Sequence, residues 1–431
     1  MKYIQMKKRA FTLSHLVTAS ITALTLVTSA VQAKSTAITN ATIYTVASQG
    51  ILEQGTVIID DGKIVQVYAK ENLPNNIEAD EIIDAKGKVL TPGFIGTMNS
   101  LGLVEVSAVS RTRDGKDDKA DITFDASLAF NPKSTLIAYT RKGGITSNIS
   151  APHGGKGLFA GQTFAVNLSG EFNSIIESEN AVLIYLGSEA KGSRAQKLQE
   201  LDYKLADAKK ALAKQKGKKA KGEKEAKELK RDQIVVNALL AGDKPLLAYA
   251  DRATDLLALI ALKKKYGLDL VLVGASDAVL IADEIAANKV PVILSSIENL
   301  PSSFDSLHAS LANMGILAKA GVNVILAPKG DSHNLNQLRF DAGIAVANGL
   351  PRADAFSALT ANVADVFKLN SGRIETGKNA DIVLWSGDPL ELSTKVDAMW
   401  INGKQVSTLS RQDALRDRYT KESNMPRSYS N

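Results

Sequence analysis

The sequence predicts an α/β protein: a parallel sheet covered by helices, closed as a barrel or wound as an open sheet, between two β-rich ends. Three observations predict it. Between residues 245 and 348, short apolar runs alternate four times with helical stretches, and strands apolar on both faces that alternate with helices belong to parallel sheets. Both ends instead carry pairs of apolar runs joined by Asp61-Gly62 and Asn402-Gly403, dipeptides that signal tight hairpins. The chain has 431 residues, 45% of them apolar, which is enough for one large or two ordinary domains and too apolar for wholesale disorder.

Taken in order, the first 33 residues carry Lys2, Lys7, Lys8 and Arg9, an apolar stretch at 16–27 and the small-x-small run Val31-Gln32-Ala33. This is the pattern of a secretory signal peptide, and the apolar stretch is short for a membrane span. A mature chain starting near Lys34 is expected, secreted to the periplasm and without a membrane anchor after cleavage. Residues 38–68 read as β-structure, with 55–60 and 63–68 as hairpin arms. Residues 93–95, 145–149 and 181–186 are strand candidates. Strands at 245–249, 268–273, 290–294 and 322–326 then alternate with helices at 252–266, 277–287, 303–320 and 335–348. Strands at 381–385 and 396–401 close the chain. Eight such β–α units would close a barrel. No Gly-rich phosphate loop opens a helix, so a nucleotide-binding open sheet lacks its fingerprint.

Charge is concentrated. Residues 189–232 hold 15 Lys/Arg against 8 Asp/Glu, and the first 33 residues hold four basic groups and no acid, so the net charge of +6 leaves the rest of the chain at −5. Within the basic segment Leu198, Leu201, Leu205 and Leu212 recur at helical spacing, with Gly217 and Gly222 as turn signals. A basic helical hairpin inserted at about 193–232 is expected. No aromatic residue interrupts its Lys-rich stretch, as base stacking would require, so nucleic acid is not an expected partner. The chain has no cysteine, which excludes disulfides, thiolate metal sites and a cysteine nucleophile.

Residues 84–95, Asp-Ala-Lys-Gly-Lys-Val-Leu-Thr-Pro-Gly-Phe-Ile, resemble the entry into the barrel of metal-dependent amidohydrolases, the imidazolonepropionase-like branch above all. Residues 360–367 and 372–383 resemble the segment by which those enzymes leave the barrel, and Gly387-Asp388-Pro389-Leu390 and Ile401-Asn402-Gly403-Lys404 complete the pattern. The resemblance runs from about residue 38 to 406. It implies a TIM-like (β/α)8 barrel over 93–377 and a small β-sandwich domain composed of 34–92 and 378–431. It also implies hydrolysis of carbon–nitrogen bonds in linear or cyclic amides.

The same resemblance locates the metal ligands, and there the sequence departs from it. Met98 and Ser100 stand where the family carries two histidines on its first barrel strand, and Tyr249 and Gly274 stand at the ligand positions of two later strands. A thioether, a hydroxyl, a phenol and a bare α-carbon are poor ligands for a hydrolytic divalent cation. The last barrel strand of the family ends in a metal-binding aspartate, and Asp331 is its candidate here. His15 falls in the expected signal segment and His308 in a predicted helix. Asp331 and His333 are left as candidate catalytic groups, with His153 as a third ligand should a single divalent metal bind.

Ligand-binding residues collect at the C-terminal ends of barrel strands. By that rule the candidates are Asn99, Ser100, Ser147, Asn148, Tyr249, Asp251, Arg252, Ser276, Ser296, Lys329 and Asp331. Of these, Tyr249, Asp251, Arg252, Lys329 and Asp331 would suit a charged small molecule. The charged run from Arg111 to Lys119 is a lid or a solvated loop. The sequence thus leads to two expectations. The first is a non-catalytic relative without a cofactor, which binds a small molecule, a second copy or a ligand-complete amidohydrolase. The second is an active hydrolase with a rearranged mononuclear or metal-free site.

Overall fold

The computed structural model describes residues 35–153, 157–187, 192–220 (backbone only from 216), 229–330 and 332–421. The expected signal segment and Asp331 lie outside the described residues. No described helix is long and apolar enough to cross a membrane.

Five strands open the chain: β1 (Thr36–Tyr44), β2 (Ile51–Asp60), β3 (Lys63–Tyr68), β4 (Glu81–Asp84) and β5 (Val89–Pro92). The eight barrel strands follow as β6 (Phe94–Asn99), β7 (Ile145–Ser150), β8 (Phe159–Asn167), β9 (Ile175–Tyr185), β10 (Leu246–Ala250), β11 (Leu270–Gly274), β12 (Val292–Leu294) and β13 (Val324–Leu326). The last three are β14 (Ile382–Trp385), β15 (Val396–Ile401) and β16 (Lys404–Gln405). Helices α1 (Thr135–Arg141), α2 (Arg194–Ala220), α3 (Arg231–Ala241), α4 (Ala253–Tyr266), α5 (Ala282–Ala287), α6 (Asn313–Lys319), α7 (Leu338–Ala347), α8 (Arg352–Leu359) and α9 (Ala361–Val366) lie between strands, and α10 (Arg411–Thr420) packs on α1.

Both ends of the chain build one sheet in the order β16-β15-β14-β5-β1-β2-β3, with β4 paired to β1. The expected sandwich is one continuous sheet. Its two tight hairpins lie where the dipeptides put them: Asp61 and Gly62 have φ of 43° and 76°, and Asn402 and Gly403 have 49° and 72°, the left-handed pair that a two-residue turn of this kind needs. Trp385 joins this sheet to the barrel. It packs against Phe94 with ring centroids 5.4 Å apart, and its Nε1–H donates to Thr91 Oγ1 at 2.9 Å.

The second sheet runs β13-β12-β11-β10-β9-β8-β7-β6 and curls into a nearly closed barrel. Alternate residues of its strands face opposite ways. Ile95, Ile149, Leu183, Leu247, Val271, Ile293 and Ile325 form the lumen cluster. Val182, Leu246, Leu270, Val292 and Val324 face the helices.

Two features depart from a strict (β/α)8 pattern. β8, absent from the strand candidates, pairs antiparallel with both β7 and β9. No hydrogen bonds join β6 to β13 among the described residues; α8 and α9 contact both strands across that seam.

Three helices also differ from expectation. The helix expected over 303–320 is only α6, Asn313–Lys319, so His308 sits in a turn. The Ser306 hydroxyl takes the backbone N–H groups of Ser302 and Ser303, and such local bonds compete with helix formation. The other two begin as 3-10 turns, Ser276–Ile281 before α5 and Ser332–Gln337 before α7. Of the basic hairpin, α2 runs through Gly217 without turning, and the second helix begins only at Arg231. Leu201 and Leu205 are buried at its root.

Candidate functional site

The C-terminal ends of the strands open into a cavity of about 620 Å³, within the roughly 300–1,000 Å³ range of small-molecule sites. Its base is made by the strand ends themselves: Met98, Tyr185, Tyr249, Gly274, Leu294 and Ala327. Lys116, Asp118 and His153 form one wall, from the loops that follow β6 and β7. Glu298 and Ser302, from the segment between β12 and α6, and Asn313 at the start of α6 also line the cavity, with Lys329 beside Glu298.

Met98 is reached through a local irregularity. The β6–β7 register skips it between Thr97 and Asn99, and its φ is +54°, a strained value for a residue with a side chain. Tyr185 and Tyr249 are register partners on neighbouring strands, with ring centroids 5.4 Å apart and planes tilted by 31°. Gly274 has φ of +80°, and a Cβ there would lie 3.0 Å from Asp251 Oδ1 and 3.2 Å from Tyr249 Cε1. The Tyr249 ring thus fills the space into which a side chain at 274 would point.

Charges around the cavity are largely matched. Lys329 Nζ lies 2.8 Å from Glu298 Oε1. Asp118 is engaged by a neighbour. Ser100 Oγ lies 3.3 Å from His153 Nδ1 and also 3.4 Å from the Ala151 carbonyl. The segment between β12 and α6 is pinned from below: buried Asp305 pairs with Arg194 at the start of α2 and, at 3.0 Å, with Arg252. His308 Nδ1 lies 2.7 Å from Asp277 Oδ1 on the outer side.

A model of the amidohydrolase family matches residues 248–408, and one of the NagA composite domain matches residues 36–90. The structure is similar to that of an amidohydrolase from Thermotoga maritima, with 25% identity and a TM-score of 0.77, over 87% of this chain and all of that one. The chain belongs to the amidohydrolase superfamily. The fold is shared more distantly with the A. niger ochratoxinase (17% identity, TM-score 0.54, 87% of this chain and 96% of that one). It is shared likewise with a β-aspartyl dipeptidase from Fervidobacterium islandicum (16%, 0.55, 88% and 98%). A 5-methylthioadenosine/S-adenosylhomocysteine deaminase of Bacillus cereus is 41% identical over 59 residues, which are 14% of this chain and 13% of the deaminase.

Among the described residues, the donors at the cavity do not make up the metal centre that the resemblance implies; Asp331 lies outside them. Met98, Tyr249 and Gly274 do line the cavity, and Ser100 lies behind it, bonded to His153. Among the described residues no three histidine or carboxylate groups converge on one point. Placing a histidine at 274 would demand a left-handed backbone and displacement of the Tyr249 ring.

Of the other sequence candidates, Lys329 and Ser276 line the cavity, and Asn99, Asp251 and Arg252 do not. Asn99 is buried in a neutral network, its Nδ2 donating to Asn148 Oδ1 at 2.7 Å. Asp251 accepts from the Ser276 amide and hydroxyl; burial raises its carboxyl above the usual range, and the two Ser276 bonds pull it back. Arg252 turns away to Asp305. Ser296 donates to the Asp341 carbonyl at 2.6 Å. His333 lies in the 3-10 turn at Ser332–Gln337 and is not part of the lining. Sequence reasoning passed over Tyr185, although the strand-end rule applied to 181–186 points to it. It also passed over Glu298, Ser302 and Asn313, because a helix was expected beside them.

Proposed function

We propose that this amidohydrolase-superfamily protein is a periplasmic, metal-independent ligand-binding barrel, in which the cavity at the strand ends holds a small molecule and does not hydrolyse it. One observation carries the reading: at the two positions where the resemblance puts ligands, the Tyr249 ring packs against Gly274 and fills the space a side chain there would need, beside Met98 in the same cavity. These residues together line a single pocket of small-molecule size. Function follows such a site and not the fold that carries it.

The test is the metal content of mature, tag-free protein purified from a periplasmic fraction. It is combined with turnover assays on N-acyl amino acids, dipeptides and adenosine derivatives, the bond types that the dipeptidase and deaminase relatives suggest. Protein with no stoichiometric metal and no turnover is expected. About one or two equivalents of Zn, Mn or Fe, or turnover restored by them, would sink the reading. A mature N-terminus near Lys34 in the same preparation checks the location.

A second reading keeps the hydrolase. Ser100 Oγ within 3.3 Å of His153 Nδ1 is a hydroxyl–imidazole pair of the kind that activates a nucleophile. Turnover without metal that Ser100→Ala abolishes would favour it.

A further inference from the structure

We infer that the cavity takes a small aromatic carboxylate, its ring stacked on Tyr249 and Tyr185 and its carboxylate facing Lys116. The inference rests on the reading of the barrel as a ligand-binding site and supplies the chemical class of the ligand.

The ring preference comes from the base of the cavity. Tyr185 and Tyr249 form an offset pair on adjacent strands, and both rings line the cavity. A third ring of similar size extends such a pair in the geometry that aromatic groups favour. Gly274 matters here as well. Without a Cβ, it leaves room for the Tyr249 ring at the base of the cavity, where a Cβ would come within 3.2 Å of Cε1. Met98, Val273, Ile293 and Ala327 supply an apolar surround with no charge. Thioethers make favourable contacts with aromatic rings.

The carboxylate comes from the charge around the rim. The charged groups of the lining are Lys116, Asp118, Glu298 and Lys329, together with His153. Glu298 and Lys329 neutralise each other, Asp118 is engaged by a neighbour, and His153 meets Ser100. No carboxylate of a described residue pairs with Lys116, which follows buried Gly115 in the loop beside His153. Among the described residues, Lys116 is therefore a lining cation without an ion-pair partner, and it sits on the loop after β6 while the aromatic pair sits on the strand ends. A ligand with a flat apolar ring at one end and an anion at the other matches that polarity.

The experiment compares benzoate with cyclohexanecarboxylate, which share the carboxylate and approximate size and differ in the π-system. Isothermal titration calorimetry is run on the mature full chain, with metal content measured on the same sample. Benzoate is expected to bind more tightly by about 2- to 10-fold, the range for an aromatic pair beyond its burial. Tyr249→Leu is expected to erase that preference and Tyr249→Phe to keep it. Lys116→Ala, an exposed change that leaves the core intact, should weaken both ligands equally by up to about 5-fold, less so in high salt. Equal affinities, binding of neither, or indifference to Lys116→Ala would overturn the inference while a metal-free sample leaves the ligand-barrel reading standing. Stoichiometric metal in the sample would overturn that reading, whatever the probes do.

Discussion

Asp341 offers a direct test of the electrostatics of the barrel wall. It lies on α7, is 9% exposed, and its carboxylate accepts no hydrogen bond from a described residue, although its backbone carbonyl takes the Ser296 hydroxyl beside the cavity. Burial alone pushes its carboxyl up from 3.8 to about 6. In the unfolded chain the group ionises near 3.8. Between the two values the folded state therefore holds a proton that the unfolded state has lost, and stability falls as pH rises through that window. A shift of about two pH units corresponds to about 3 kcal/mol, present below pH 4 and lost above pH 6. Asp381, which is buried in the small sheet and accepts from the Asn402 amide at 2.7 Å, is likewise pushed up to about 6 and adds a fall of the same sign.

Asp341→Asn cannot ionise, so the variant should match the parent near pH 4 and exceed it by up to about 3 kcal/mol at pH 7.5. The part of the fall due to Asp381 should remain. Urea unfolding at half-unit steps from pH 4 to 8, with m-values compared to confirm the same transition, reads the difference. A variant no more stable than the parent at pH 7.5, or an advantage constant across the range, would refute the assignment.

Two further predictions concern packing. Asp305→Ala leaves Arg194 and Arg252 without their shared carboxylate, and because both guanidiniums are more than a third exposed the global cost should be only about 1–2 kcal/mol. The local effect should be larger, seen as faster proteolytic cleavage within residues 297–312 than in the parent; unchanged cleavage would count against the pinning role. Gly144 has φ of +77°, and a Cβ there would lie 2.2 Å from the Trp385 ring, so Gly144→Ala should cost about 1–3 kcal/mol or more and shift Trp fluorescence. An unshifted spectrum with parental stability would contradict that contact.

What was legible in the sequence follows from how local each signal is. The hairpins at Asp61-Gly62 and Asn402-Gly403 were readable because two residues fix the turn. The parallel strands were readable because burial on both faces leaves an unbroken apolar run. β8 was not readable. It mixes Gly161, Gln162 and Thr163 into a buried strand, and their polar groups are satisfied by Glu179, Lys244 and Asn180 across the sheet or beyond it. The segment after β12 misled for a similar reason. Its conformation answers to Asp305 and its two arginines, one of them at the start of a distant helix.

At the site, the strand-end rule found Tyr249 and Lys329, and the resemblance placed Met98 and Gly274 at the same mouth. It overreached with Asp251 and Arg252, whose partners, Ser276 and Asp305, are brought close only by the fold.

The unjoined edges of β6 and β13 carry a consequence for how the chain assembles. Every hydrogen-bonded neighbour in the barrel sheet is also the next strand in chain order, so the sheet can grow strand by strand, although its parallel pairs close long connections and such pairing is slow. The closing step, bringing the first barrel strand to the last, is left to contacts from α8 and α9 and needs no backbone ladder to find its register. Until those two helices arrive, both edges stand open to other chains. A nascent chain paused before residue 352 would thus be the form most prone to aggregate, and the span that follows acts as the clasp that ends the hazard.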